Sequence, residues 1–417
     1  MRIKYLVCML LLSIAPIVRA ADPAVFAINK LGLELLASSR EKNESTLLSP
    51  WSIQSALAMT YAGASGETRE EMRRVLHYPE DQTELVRALN ELKDDLEQIA
   101  QRSERFSLAQ ASFTGPRDAL VLAVANRLFG QSDYPFRQSF LDFVEDVHRA
   151  PFERCNFRAD YEKERVRINT WVEEQTRERI RDLIPAGGLN EHTRLVLVNA
   201  VYLKAPWMVP FDEADTQPRP FWVRGIEERM VPTMFRAGEF RVRQGTGYTA
   251  VGIPLDRGDL HFIAIIPDDP TGLAEIEAML TADDLSALAN SPLREARVYL
   301  PKFRIESPSM LLRRELMSLG MRTAFDDPQG SANFDGIAPR RPNDYLYIDE
   351  IFHKTFFDLN EKGVEAAAAT AVVMMMATSI PAAKPEPIEI RVDRPFLFAI
   401  QHRGGACLFL GRVTDPR

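Results

Sequence analysis

Six histidines are spread along the chain, His77, His148, His192, His261, His353 and His402, and they form neither HExxH nor a close pair. With three cysteines at positions 8, 155 and 407, no spacing suits a metal site. Gly63-Ala64-Ser65-Gly66 misses the spacing of a nucleophile elbow, and there is no phosphate-binding or dinucleotide glycine pattern. No metal or other cofactor is implied. A hydrolase with scattered residues stays open on this count alone, because triads are assembled in space. The chemistry worth following lies instead in residues 361–381, EKGVEAAAATAVVMMMATSIP. After Glu365 the side chains become small and uncharged, and no proline occurs from Gly363 to Ile380. Such a stretch suits a helix, since Ala and Met are good helix formers. It also suits a buried strand, while twelve residues from Ala366 to Ala377 are too few for a membrane span. Between a predicted strand and the proline-rich Pro381–Pro387, it can also be an exposed loop that later enters a sheet. Proline would forbid that second state, because it cannot donate to a central ladder.

The elements around this segment divide by position. Val25, Ile28, Leu31 and Leu35 line one helical face, Ser49-Pro50 opens a helix over Ile53–Ala62, and residues 69–100 are helical with a charged exterior. Ser103–Arg117 reads as a loop or frayed insertion. Ile168, Val172 and Ile180 share a helical face that Pro185-Ala186-Gly187-Gly188 ends. Leu120–Phe129 and the nearly continuous apolar run Leu195–Leu203 read as buried strands. Short strands follow: Phe240–Arg243, Ala250–Leu255, Leu260–Ile266 and Arg297–Ile305, with a short helix over Leu311–Leu319. Tyr345–Leu359 reads as one long strand, and Ile388–Val392, Phe396–Gln401 and Cys407–Val413 close the chain, the last two joined at Gly404-Gly405. Helices early and strands late, without βα alternation, argue an α+β fold.

Glu361-Lys362-Gly363-x-Glu365-Ala366-Ala367-Ala368-Ala369-Thr370 resembles the hinge of the reactive-centre loop of inhibitory serpins. Other matches follow in family order. They are Leu48-Ser49-Pro50-Trp51-Ser52, Asn126-Arg127-Leu128-Phe129, Ile168-Asn169-x-Trp171-Val172, Leu197-Val198-Asn199-Ala200-Val201-Tyr202 and Val231-Pro232-x-Met234. Leu300-Pro301-Lys302-Phe303, Leu319-Gly320-Met321, Phe334-Asp335-Gly336-Ile337, His353-Lys354 and Asp393-Arg394-Pro395-Phe396-Leu397-Phe398 complete the series, over roughly residues 25–415. The resemblance implies a serpin fold with three β-sheets, eight or nine helices and an exposed reactive-centre loop at about residues 361–385. It implies inhibition of a serine protease by suicide-substrate trapping: the loop is cleaved, an acyl-enzyme forms, and the hinge inserts as a strand of the main sheet.

Family spacing puts the reactive bond at Ala377–Thr378, with Thr378–Ser379 as the alternative. The hinge would be Glu361, Gly363, Val364, Glu365, Ala366, Ala367, Ala368, Ala369 and Thr370. Val364 departs from the Thr or Ser usual there, but a valine suits a strand. Ser49, Ser52, Asn199 and His353 match the polar shutter beneath the sheet, and Trp207 matches the tryptophan where insertion starts. Alanine before the bond implies elastase-like or subtilisin-like serine proteases as partners, with a cysteine protease as a further candidate. The region matching the family's heparin-binding helix, residues 80–97, has only Arg87 and Lys93 as basic residues, so heparin is not expected. The alternative within the family is a non-inhibitory carrier or chaperone. Such members usually spoil the hinge with proline, charge or bulk, and this one does not.

Composition sets the remaining bounds. The chain of 417 residues is 46% hydrophobic and 26% charged, an ordinary globular balance. Arg2 and Lys4, the apolar run Ile3–Leu12 and Val18-Arg19-Ala20 form a secretory signal over residues 1–20, leaving one domain over 21–417. Secretion would place it in an extracellular or periplasmic space. Loss of Arg2, Lys4 and Arg19 lowers the 51 basic residues to 48 against 59 acidic ones, a net charge of −11. Such a chain is a poor partner for nucleic acid or an anionic membrane. Cys155 and Cys407 alone would remain, too few for a disulfide framework, although spacing leaves one bridge between them open.

Overall fold

The structure is a computed structural model that describes residues 22–39, 44–114, 118–306, 308–365 and 386–416, without side chains for 111–114. The signal segment 1–20, hinge residues Ala366, Ala367, Ala368, Ala369 and Thr370, and Ala377, Thr378 and Ser379 lie outside the described residues.

The Asp22 carboxylate accepts the N–H groups of Ala24 and Val25 and starts α1 (Pro23–Ser38), whose expected stripe is buried. After β1 (Thr46–Leu48), Ser49 caps α2 (Pro50–Gly63) with Pro50 in its first turn. Next come α3 (Gly66–Val75), α4 (Gln82–Thr114), β2 (Val121–Gln131), α5 (Gln138–Asp146), β3 (Phe152–Cys155), α6 (Phe157–Gln175) and β4 (Leu195–Pro206). The middle of the chain is β5 (Gln217–Val223), β6 (Glu227–Gly245), β7 (Tyr248–Leu255), β8 (Leu260–Pro267), α7 (Leu273–Met279), α8 (Ala282–Leu288) and β9 (Leu293–Pro301). The rest is β10 (Phe303–Glu306), β11 (Met310–Leu311), α9 (Arg313–Ser318), β12 (Phe352–Asn360), β13 (Gly363–Val364), β14 (Ile388–Arg391), β15 (Phe396–His402) and β16 (Cys407–Val413).

Hydrogen bonding joins these strands, among the described residues, into two continuous sheets. One runs β10-β12-β13-β4-β2-β3. The other runs β1-β16-β15-β8-β7-β6-β9-β14, with β5 on β6. The long strand β6 links what would otherwise be a second and a third sheet. Its first part pairs with β5 and β9 and its last part with β7. The main core lies between the two sheets and takes in β8, β15 and β16, which are buried along their whole length. A second cluster lies on the other face of the first sheet, where Ile168 and Val172 of α6 meet Phe129, Val196, Val198 and Ala200. Strand β4 is thus covered on both faces, as its apolar run demands.

Four sequence expectations need correction. Ser103–Arg117 is not a loop as far as Thr114: α4 continues to that residue. Tertiary contacts hold this turn of helix, since the Ser103 hydroxyl donates to Asp256 at 2.9 Å and accepts from the Leu120 N–H at 2.7 Å. Arg102 pairs with Asp259 at 3.2 Å. Helix α6 ends at Gln175, and Ile180 is buried from a turn beyond it. Arg297–Ile305 breaks at Lys302 into β9 and β10. Strand β12 begins only at Phe352, so residues 345–351 have strand composition but no ladder. Cys155 and Cys407 are free, buried thiols in different clusters, so no bridge forms.

Candidate functional site: the hinge root and the seam below it

Glu361 is 6% exposed, and its carboxylate accepts from the Thr216 hydroxyl at 2.8 Å and pairs with Lys302 at 3.0 Å. Burial alone would raise its carboxyl, but hydrogen bonds from its own backbone, Lys302 and Thr216 hold it below the usual range. The backbone is clasped as well. Asn360 O accepts from the Trp207 indole at 2.9 Å, Lys362 O from the Trp207 N–H at 2.8 Å, and Glu361 O from the Phe211 N–H at 2.9 Å. Gly363 then passes so close to β4 that a Cβ would stand 2.3 Å from Ala205 O, and its φ is +140°. Only glycine fits there.

Gly363 and Val364 form β13, a two-residue wedge between β4 and β12. Val364 faces Ala205 on one side and Leu359 on the other, and is wholly buried. Glu365 makes one further bond, its N–H to Asp358 O at 2.7 Å, before the backbone turns at φ +48°. Its carboxylate pairs with Arg179 and sits beside the Tyr202 hydroxyl. Burial pushes this carboxyl up, opposed by Arg179, Tyr202 and Lys204 and supported by Asp358.

Below the wedge the sheet is a seam. Strands β12 and β4 pair directly, and in parallel, only at His353↔Asn199, Lys354↔Ala200 and Thr355↔Val201. Below these pairs the walls part into a cleft, lined by residues such as His192, Arg194, Leu195 and Leu197 on one side and Leu346 and Ile348 on the other.

The four residues expected to share a polar cluster meet at this seam. All are buried. The Ser49 N–H donates to His353 Nε2 at 3.0 Å, and the Ser49 hydroxyl donates to Leu408 O at 2.6 Å. The Ser52 hydroxyl donates to Asn199 Oδ1, and Asn199 Nδ2 donates to Ser52 O at 2.9 Å. His353 Nε2 therefore accepts, which puts its ring proton on Nδ1, and that atom has no partner among the described residues. Burial lowers the His353 pKa to about 4.

Because the folded pKa lies below the usual 6.5, the neutral ring stabilises the fold above that value. The stability is lost as pH falls from about 6.5 to about 4, by up to roughly 3 kcal/mol. His353→Gln should unfold at a lower temperature than the parent at pH 7.5. The gap should narrow towards pH 4.5, as read by calorimetry across that range.

Sequence reasoning missed four contributors. Asn126 accepts from Asn199 Nδ2 at 2.6 Å, and it stood in a quoted motif without a role. Lys302 stood in another. Thr216 and Arg179 carried no signal, since each lies in a segment of ordinary polar composition.

The profile of the Serpin (serine protease inhibitor) family matches residues 26–416. The chain is a serpin. Its sequence is 33% identical over 407 residues to Serpin B10 of Sorex araneus, covering 95% of this chain and all of that one. Uncleaved ovalbumin superposes with a TM-score of 0.76 at 28% identity, covering 94% of this chain and 100% of that chain. A loop-inserted structure of a cleaved ovalbumin mutant superposes at 0.77 with 27% identity, over the same shares. In this serpin β12 and β4 pair directly at His353–Asn199, and among the described residues only Gly363 and Val364 lie between the two strands.

Proposed function

We propose that this serpin is a secreted suicide inhibitor of serine proteases, cleaved at Ala377–Thr378, with Thr378–Ser379 as the competing bond. One observation carries the reading. The wedge opens two ladders, on β4 and on β12, and both continue to the same place. Extending the β4 register brings Thr370 opposite Asn199; extending the β12 register brings it opposite His353. Those two residues are each other's present partners. A hinge strand entering from Val364 would thus replace one ladder pair with two, and its end at Ala377 would reach His192 and Leu346 at the cleft.

Side-chain parity supports the same reading. With Val364 facing the core, Ala366, Ala368, Thr370, Val372, Met374 and Met376 would follow it inwards. None is charged. The Thr370 hydroxyl would enter the buried polar cluster, where His353 Nδ1 lacks a partner among the described residues. Opening the seam would break the Ser52–Asn199 bonds, so the cluster would act as a shutter that resists insertion until cleavage frees the loop. Glu365 would have to leave Arg179 and adopt extended φ, which sets a further threshold.

The test is a panel of serine proteases resolved by denaturing electrophoresis. Elastase-like or subtilisin-like enzymes should give a covalent band and release the 40 residues Thr378–Arg417. Trypsin-like enzymes need a basic residue before the bond, and none lies between Gly363 and Ala383. Stoichiometric trapping of trypsin would overturn the assigned bond; clean proteolysis throughout, with no such band, would overturn the inhibitory reading.

A further inference from the structure

Arg412 of β16 and Glu277 of α7 form an interior ion pair, with each side chain 2% exposed. Both carboxylate oxygens of Glu277 accept from Arg412 Nη1, at 2.9 and 3.0 Å. Arg412 Nε donates to Glu44 O at 3.2 Å, and Nη2 donates to the Ser39 hydroxyl at 2.9 Å. A guanidinium carries five N–H groups. One on Nη2 is therefore left without an acceptor among the described residues. The pair is balanced in charge and incomplete in hydrogen bonds.

Beside the pair is a cavity of about 160 Å³, whose walls include Arg412, Glu277, Leu273, Pro395 and Arg224. A space of that size holds a molecule of about six non-hydrogen atoms. Two guanidinium groups and one carboxylate face it, which leaves a net charge of one positive unit. Both Glu277 oxygens already accept from Arg412, so the uncompensated charge is that of Arg224.

Arg224 stands in an unusual place for an arginine. It and Gly225 are the central residues of the turn between β5 and β6, closed by the Ile226 N–H to Val223 O at 3.1 Å. Both have positive φ, +53° and +76°. Such a turn favours Asn-Gly or Asp-Gly, and a long side chain in the left-handed region is strained. The turn is fixed over the cavity. A Cβ on Gly225 would stand 2.5 Å from Pro270 O, and the Arg224 N–H donates to Thr414 O at 2.9 Å. Yet the Arg224 guanidinium has neither an ion pair nor a hydrogen bond among the described residues. The strain is spent on a cation that nothing in the fold engages.

We infer that this cavity is a binding site for a small free oxyanion, a sulfate, a phosphate or a short carboxylate, held between the Arg224 guanidinium and the spare N–H of Arg412. Guanidinium groups recognise such anions through paired, charge-assisted hydrogen bonds. A metal cation is repelled by the same two groups, and a neutral ligand leaves Arg224 unmatched. The volume selects a small ligand over a polyanion. Bound there, the anion ties the β5–β6 turn to α7 and β16, so it acts on the stability of the fold. The inference does not depend on the reactive loop and stands whether or not a protease is trapped.

The test is calorimetry of the parent and of Arg224→Asn in inorganic sulfate, inorganic phosphate or acetate, each against sodium chloride of equal ionic strength. Asparagine suits a positive φ, so the variant keeps the turn and in chloride should melt no lower than the parent. At least one of the three anions should raise the melting temperature of the parent saturably, by about 2 °C at twenty times its dissociation constant. Oxyanions also stabilise proteins through exclusion from their surface; that part does not saturate, and Arg224→Asn should show it alone. Isothermal titration should give one site per chain in the parent and none in the variant. A response to sulfate and phosphate without acetate assigns a tetrahedral ligand, and the reverse assigns a carboxylate. Equal saturable responses in both chains, or none in the parent with any of the three, would overturn the site. So would a variant that melts well below the parent in chloride, because the Arg224 guanidinium would then already serve the fold without a ligand.

Discussion

Val364→Arg and Ala368→Pro are each expected to turn this serpin from a trap into a plain substrate. Val364 is wholly buried between Ala205 and Leu359. A guanidinium there has no partner and would be excluded from the sheet, taking β13 with it. Ala368 would meet Val201 and Thr355 when the present register is extended, a pair already joined across the seam. Proline at that position removes a ladder donor in a central strand and adds a clash, about 3 kcal/mol if it resembles proline in a helix. The acyl-enzyme has two fates, hydrolysis or displacement by insertion, and their ratio follows the difference between two barriers. A rise of about 3 kcal/mol in the insertion barrier slows that branch by roughly 100-fold, which gives the acyl-enzyme time to hydrolyse. Both substitutions lie several residues from Ala377, so cleavage should continue. Gels should show the 40-residue fragment at the parental rate, without the covalent band. If both variants trap protease as the parent does, residues 363–371 do not insert.

The sequence pointed clearly to positions where a residue type has one structural use. Gly363 could be singled out because a backbone approach of the kind found against Ala205 tolerates nothing larger. Ser49 announced itself by standing before Pro50 as a helix cap, and its second task, fixing His353, came only with the fold. Clasps made by common polar residues were illegible. Nothing local distinguishes Thr216 or Arg179 from a solvated neighbour; only the arrival of Glu361 and Glu365 gives them work. Helix α4 beyond Arg102 was misread for a related reason. Its length depends on Asp256 and Asp259, residues more than 150 positions away. Residues 345–351 were misread more instructively. Their aromatic and β-branched composition describes a strand, yet they line a cleft and pair with no ladder. The composition suits a partner strand that residues 372–377 would supply in register. A sequence that must serve two states is locally inconsistent with either one taken alone.

That mismatch sets the second large expectation: cleavage at Ala377 should make this serpin more resistant to heat. Six inward side chains, from Ala366 to Met376, would leave solvent for the core, contributing about 7 kcal/mol at about 25 cal/mol per Å² of apolar surface. New ladder bonds on both sides would add to this, while ordering the strand costs about as much. For a domain of nearly 400 residues, with about 2.1 cal/mol/K of unfolding entropy per residue, the net gain raises the melting temperature on the order of 10 °C. Calorimetry of the parent before and after limited proteolysis reads it directly. Thr370→Val separates the two parts of the gain. It keeps the shape and apolar burial of the strand but removes the hydroxyl that would meet His353 Nδ1, so its rise should be smaller by about 1 kcal/mol, or one to two degrees. Ala368→Pro should cancel most of the rise. If the cleaved parent melts where the intact protein does, the seam between β4 and β12 stays shut, and the polar cluster of Ser49, Ser52, Asn199 and His353 is a permanent lock and not a shutter.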